Sequence, residues 1–146
     1  MNMPKERLKI IPGLYLVPIK DGKVLLLRRF NTGWADGQYS LVGGHLDADE
    51  NYKNAMIREA KEESGLELDA DALKVVHVLH RNQDGNRIDL FFQCENWQGE
   101  PTITEPDKCD EIAWFALDNL PANTIPYISQ ALENIQKKVF YSDFGF

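Results

Sequence analysis

Gly44–Leu66, GHLDADENYKNAMIREAKEESGL, is the stretch on which the reading of this chain turns. Asn51 stands where an N-cap is wanted and Gly65 where a left-handed C′ residue is wanted, so the spacing predicts a helix over Tyr52–Ser64. With Tyr52 at zero and about 100° per residue, Glu59 falls near −20°, Glu63 near +20° and Glu62 near −80°. On the same wheel Ala55 lies at about −60°, Met56 at about +40°, Ala60 at about +80° and Ile57 at about +140°. The three glutamates therefore overlap the apolar arc, while Asn54, Arg58 and Lys61 take the opposite side. A solvated charged face would have grouped the glutamates with the lysine. Like charges three and four residues apart destabilise a helix by roughly a few tenths of a kcal/mol per pair, and partial burial worsens this unless a cation lies among them. Mg²⁺ takes oxygen ligands and keeps several waters, so the pattern is either a hard-cation site or a stressed acidic face.

Outward from this helix the chain alternates strands and turns. Leu14–Ile19 and Lys23–Phe30 read as strands joined by a tight turn at Asp21-Gly22. Asn31–Gln38, NTGWADGQ, is a polar, glycine-rich loop with one tryptophan, and Tyr39–Val42 is a short strand running into Gly43-Gly44. After the helix, Leu73–His80 and Arg87–Cys94 pair around an Asp84-Gly85 turn, Ile112–Leu117 forms another strand, and Ile128–Val139 is an amphipathic helix. Strands outnumber helices and are mixed with them, which predicts an α/β (α+β) sandwich.

The 146 residues fit one domain, 1–146, with 43% hydrophobic and 27% charged side chains, as in an ordinary globular protein. A net charge of −7 argues against stable nucleic-acid binding, although a bound divalent cation would still admit a small anionic substrate. The N-terminal MNMPKERLKI lacks an apolar signal core, and Ile10–Ile19 carries Pro12 and Pro18 and is too short to span a bilayer, so no membrane association is expected. Cys94 and Cys109 show no metal-ligand spacing and read as buried apolar residues in a cytoplasmic protein with reduced thiols.

With these residues in place, the stretch resembles the Nudix box, G-x5-E-x7-R-E-U-x-E-E-x-G-U, where U is aliphatic. Gly44, Glu50, Arg58, Glu59, Ala60, Glu62, Glu63, Gly65 and Leu66 fill its specified positions. Trp114-Phe115 and Leu120-Pro121 are also similar to the family's layout. Two features depart from it: Val42 stands where many members have proline, and Ala60 is small for its slot, which implies a closer approach of helix to sheet.

The resemblance implies a Nudix-like α/β/α sandwich with a mixed sheet and an Mg²⁺-dependent hydrolase, with Mn²⁺ as a substitute. Carried over, Glu62 and Glu63 are metal ligands, Glu59 a ligand or general base, and the Gly43 carbonyl a further ligand. Arg58 would orient a box glutamate, with Glu50 as its partner, or else pair with Glu62 at i, i+4. Glu105 and Glu111 are candidates for an additional base or ligand, and sequence does not separate them. Arg28 and Arg29 are candidates for phosphate contact, at most one of them because strand neighbours face opposite ways. Trp34 either stacks on a base or packs locally, and His45 is a candidate phosphate contact; Phe91, Trp97 and Trp114 read as core or rim, and His77 and His80 as structural.

The expected activity is hydrolysis of a diphosphate linkage in a nucleoside diphosphate derivative: a nucleoside triphosphate, oxidised forms included, ADP-ribose, a nucleotide sugar or a dinucleoside polyphosphate. The partner is thus a small nucleotide-like molecule, and a homodimer stays open. The alternative is a catalytically weak Nudix-fold sensor that binds a nucleotide; keeping Glu59, Glu62 and Glu63 together argues against it. A structural Ca²⁺ site lacks the EF-hand loop pattern.

Overall fold

Strand β2 (Lys23–Arg29) shows in one run of residues how the molecule is layered. Leu25 and Leu27 belong to one buried cluster, and the intervening Val24 and Leu26 belong to another. Successive side chains of a strand point to opposite faces, so a continuous apolar run marks a sheet covered on both sides. Each fully buried leucine there contributes about 2 kcal/mol by leaving water. The computed structural model describes residues 3–146; Met1 and Asn2, part of the N-terminal stretch read for a signal sequence, lie outside them.

The sheet runs in the order β3 (Tyr39–Ser40), β2, β1 (Ile11–Lys20), β6 (Asn86–Cys94), β5 (Lys74–Asn82), β8 (Tyr141–Phe144). Off this path, β4 (Val42–His45) pairs with β1 and β7 (Cys109–Ala116) pairs with β2. Helix α1 (Tyr52–Ser64) covers the face of Leu14, Leu16, Val42 and Phe92, and α2 (Pro126–Gln136) covers that of Val17, Leu79 and Phe91. The expected α/β/α sandwich with a mixed sheet is what the chain forms. Among the described residues, no helix is long and apolar enough to cross a membrane.

Strand β1 is the junction. It runs parallel to β6 from Ile11 to Pro18, while its other edge is shared between β4, along Gly13–Leu16, and β2, at Ile19 and Lys20. Asp21 and Gly22 both have positive φ, 51° and 72°, the pairing that a two-residue hairpin turn requires.

Several sequence expectations shift. The strand expected over Tyr39–Val42 breaks at Leu41: Tyr39 and Ser40 pair with β2, whereas Val42–His45 turns to β1 and carries the glycine pair within a strand. The helix expected over Ile128–Val139 starts earlier, with Pro126 in its first turn, and ends at Gln136 because Lys138 adopts φ 57°. The chain then reverses into β8, an unexpected fourth-quarter strand parallel to β5, and a short 3₁₀ turn at Ala70–Ala72 was also not anticipated.

Helix α1 matches its expected bounds and caps. Asn51 accepts a hydrogen bond from the Asn54 N–H at 2.9 Å, and Gly65, at φ 74°, closes the far end with its N–H on the Lys61 carbonyl. Ala60 is fully buried, in keeping with a close helix–sheet approach.

His77 ties β8 in place. Its Nδ1–H donates to the Val139 carbonyl at 2.8 Å, which leaves Nε2 to accept from the Ser142 hydroxyl at 2.8 Å. Burial holds its pKa below the ordinary value, against the opposing pull of the Val139 carbonyl. Since the unfolded chain binds the proton more tightly, stability from this group is present above an unfolded pKa of about 6.5 and is lost as pH falls toward the folded value. Thermal melts between pH 7 and pH 5 should therefore show Tm falling with acidification, and His77→Gln should flatten that slope.

Candidate active site

Packing of α1 on β4 brings the acidic residues to the glycine pair. A Cβ at Gly44 would overlap the Glu59 carboxylate, and one at Gly43 would overlap the Leu14 carbonyl and the Tyr15 ring. Glycine at position 44 lets the helix carboxylate approach the strand backbone, and glycine at position 43 makes room on the opposite face for β1 and the Tyr15 ring. Glu63 lies beside the strand, accepting from the Gly43 N–H at 3.2 Å.

The two inward carboxyls are electrostatically stressed. Burial pushes Glu63 up to about 8, with the charges of Glu59 and Glu105 adding and the Gly43 N–H opposing. Glu59 is also raised, first by burial and then by Glu62, against the pull of Arg58. Glu62 departs from the expectation of three inward carboxylates: its side chain is 55% exposed and meets Arg58 at 3.3 Å. It stands at the edge of the apolar arc, where a turn toward the arginine costs no burial.

Arg58 touches the partners named in both readings offered for it. Its guanidinium makes a fork on Glu50, Nη2 at 2.7 Å and Nε at 3.2 Å, and Nη1 reaches Glu59 at 3.0 Å as well as Glu62. Hydrogen bonding to Arg58 holds Glu50 below the usual carboxylate range. The arginine thus bridges the loop before the helix to the inward glutamate, fixing Glu59 against the glycine pair.

The structure separates candidates that the sequence left level. Glu105 lines a cavity of about 430 Å³ together with Glu63, Arg29 and Lys108. Glu111 instead pairs with Arg28 at 3.4 Å, and Arg28 is further engaged by Asp110 at 2.7 Å. Arg29, not Arg28, faces the cleft; it donates to the Trp34 carbonyl at 2.8 Å and its guanidinium lies over the Trp34 ring at 5.1 Å. Trp34 also approaches Tyr127, at 6.3 Å between ring centroids, so it is packed locally while lining the cleft. Trp97 and Trp114 stack on each other, Phe91 is core, and His80 bonds Asn86, as read.

On the other side of the glycine pair is a second cavity of about 250 Å³, lined by Tyr15, Trp34, Tyr127, Arg29, Arg81 and Arg87 with Gly43, Gly44 and His45. Arg87 Nη1 donates to His45 Nε2 at 3.1 Å, so the histidine sits at the mouth of this cleft as an acceptor. Sequence reasoning missed Tyr15, Arg81, Arg87 and Tyr127. One signal was present: Asp89 interrupts the apolar strand RIDLFFQC, and a lone carboxylate in such a strand calls for a buried cationic partner.

An acidic pocket and a basic, aromatic cleft thus flank one glycine pair, an arrangement that can hold a phosphate chain across the glycines. Comparison with known proteins agrees with the box read in α1. The NUDIX domain family profile matches residues 12–135. The chain is 32% identical over 123 residues to an ADP-ribose pyrophosphatase of Methanocaldococcus jannaschii, covering 82% of this chain and 71% of that protein. It is 26% identical to the NAD-capped RNA hydrolase NudC of Pseudomonas aeruginosa, covering 77% of this chain but 38% of that longer protein. The crystal structure of a MutT NUDIX hydrolase from Burkholderia pseudomallei superposes with a TM-score of 0.79 at 28% identity, over 86% of this chain and 97% of that one. The chain belongs to the Nudix family and is a Nudix-type pyrophosphohydrolase.

Proposed function

We propose that the chain hydrolyses a diphosphate linkage in a small nucleoside diphosphate derivative, with Mg²⁺ held by Glu59, Glu62, Glu63 and the Gly43 carbonyl. The observation that carries this reading is the pair of half-buried carboxyls of Glu59 and Glu63 packed against Gly44 and Gly43. Buried carboxylates need either a proton or a cation beside them. The donors fit a hard cation, being all oxygen, and Glu63 among them lines the acidic cavity. Among the described residues, no three His, Cys, Asp or Glu side chains are gathered as a metal-binding group, so holding the cation with all three glutamates would require Glu62 to turn in from Arg58.

A cation bound there would neutralise charge developing on the diphosphate oxygens. The chain's own groups do the rest. Glu105 shares the acidic cavity with Glu63, so its carboxylate takes the proton of the attacking water as the water oxygen bonds to phosphorus. The bond from that phosphorus to the bridging oxygen breaks, and the leaving phosphate keeps the electron pair. Arg58 holds Glu59 in place throughout, and Arg29 meets the phosphate chain from the loop side.

The named relatives act on ADP-ribose and NAD-capped RNA, both of which contain a diphosphate linkage, and this supports the class without choosing within it. We place the protein in the cytoplasm, in keeping with two cysteines that are buried and unbridged.

A screen of phosphate or pyrophosphate release across nucleoside triphosphates, ADP-ribose and nucleotide sugars tests the reading. Turnover of at least one should vanish in EDTA and return with Mg²⁺ or Mn²⁺, with Zn²⁺ the poorer substitute for an all-oxygen site. Full activity in chelator would sink the metal assignment.

Replacing Glu63 by Gln should lower kcat by roughly 10²-fold or more with a much smaller change in KM, since charge stabilisation is needed most in the transition state. A sensor would show weaker nucleotide binding on mutation and no turnover in the parent.

Mg²⁺ should raise the Tm of the parent through preferential binding to the folded state. Glu62→Gln with Glu63→Gln should abolish that rise and leave the metal-free protein as stable as the parent or more so, because a stressed carboxyl is removed. A loss of metal-free stability would point instead to structural ion pairs.

A further inference from the structure

Arg81 leaves β5 in the wall of the basic cleft, 5% exposed, and is fixed on three sides. Its Nε donates to Asp89 Oδ2 at 2.8 Å, its Nη1 donates to Gln83 Oε1 at 3.1 Å, and its guanidinium lies 3.8 Å from the centroid of the Tyr127 ring. Tyr127 is itself steadied by a 2.7 Å hydrogen bond between its hydroxyl and that of Tyr15. Asp89 is 1% exposed, and among the described residues nothing donates a hydrogen bond to its Oδ1. Gly13 makes room for that oxygen, since a Cβ there would overlap it.

Such an arrangement is poor as a stabilising device. The desolvation of a buried ion pair commonly exceeds its Coulombic gain, and apolar replacements of similar volume are often neutral or stabilising. An acceptor oxygen left without a donor adds to the cost. What the arrangement achieves is a guanidinium held rigidly at a cavity wall. Arg29 and Arg87 line the same cavity with Asp84 as the one acidic residue, in a chain whose net charge is −7. A rigid planar fork with unspent N–H groups matches phosphate oxygens.

We propose that Arg81 binds a phosphate oxygen of the substrate and that Asp89 is its positioning residue. This rests on the reading of the cleft as the place where a diphosphate derivative lies. The oxygen belongs either to the scissile diphosphate or to a phosphate beyond it.

Steady-state kinetics with ADP-ribose and with ATP as probes, in Mg²⁺, tests the assignment. Arg81→Lys should raise KM about 10- to 100-fold, the range for a lost charge-assisted hydrogen bond, with kcat changed only a few-fold. Asp89→Asn should move KM in the same direction by less, because the amide oxygen still accepts from Nε. An effect on both probes assigns the scissile diphosphate, and an effect on ATP alone assigns a further phosphate. The double variant Arg81→Met with Asp89→Leu should lose the same affinity while its Tm stays level or rises. Unchanged KM in Arg81→Lys, or a double variant that loses Tm but keeps its KM, would overturn the proposal in favour of a structural pair. Calorimetric binding of inorganic pyrophosphate with Mg²⁺ separates this from failure of the hydrolase reading. If the parent hydrolyses neither probe, weaker pyrophosphate binding by Arg81→Lys supports Arg81 alone, and equal binding rejects it.

Discussion

Helix α1 meets strand β4 with no side chain between the glycine pair and the helix carboxylates, and the remainder of the site depends on that contact. Were either glycine to carry a Cβ, the Glu59 carboxylate, the Leu14 carbonyl or the Tyr15 ring would have to move. The helix can approach because the residues turned to the sheet are small where it matters: Ala55, Ala60 and Ser64 are all fully buried. The same closeness drives Glu59 and Glu63 out of water and raises both carboxyls. Packing geometry and proton affinity are in this sense one constraint, since the fold creates the electrostatic stress that a cation would relieve.

What could be read from the sequence follows the range of the forces involved. Helix α1 was legible to the residue because its signals are local: Asn51 caps one end, Gly65 at φ 74° closes the other, and the apolar period lies between. The hairpin at Asp21-Gly22 was legible for the same reason. Strand β8 was not. Its four residues have no strong alternation, and they are held by His77 from 65 positions away and by pairing with β5. The break at Leu41 was hidden too, because it reflects a change of partner from β2 to β1 and not a change in local propensity. Within the site, the box residues of α1 came from spacing. The cleft-lining Tyr15, Arg81, Arg87 and Tyr127 come from β1, β5, β6 and α2, and only the sheet order brings those together.

Charge is divided across the glycine pair in a way the total of −7 conceals. Glu63 and Glu105 stand in one cavity and three arginines in the other, with Arg29 lining both. A phosphate chain needs cationic partners along its length, and beside Glu63 and Glu105 a bound cation would add to what Arg29 and Lys108 supply. The basic cleft supplies them directly. A substrate spanning both would therefore meet three arginines at one end and a mixture of acidic and basic groups, open to a cation, at the other. Overall acidity, which weighs against holding a long polyanion, does not oppose a short one placed across this boundary.

Two arginines organise these halves by opposite means. Arg58 is partly solvated and distributes its donors over Glu50, Glu59 and Glu62, so it ties a loop to a helix. Solvent screening limits what those pairs contribute to stability. Arg81 is buried, spends Nε on Asp89 and one face on Tyr127, and keeps the rest of its fork at the cavity wall. Burial there strengthens each interaction and also penalises any donor or acceptor left unmatched. A ligand oxygen arriving at Arg81 would accept from guanidinium N–H groups that Asp89 and Gln83 leave unspent, whereas one arriving at Arg58 would compete with carboxylates already bound. The difference in burial, 6% side-chain exposure against 30%, is thus the difference between a group arranged to receive a ligand and one arranged to hold the protein's own residues in position.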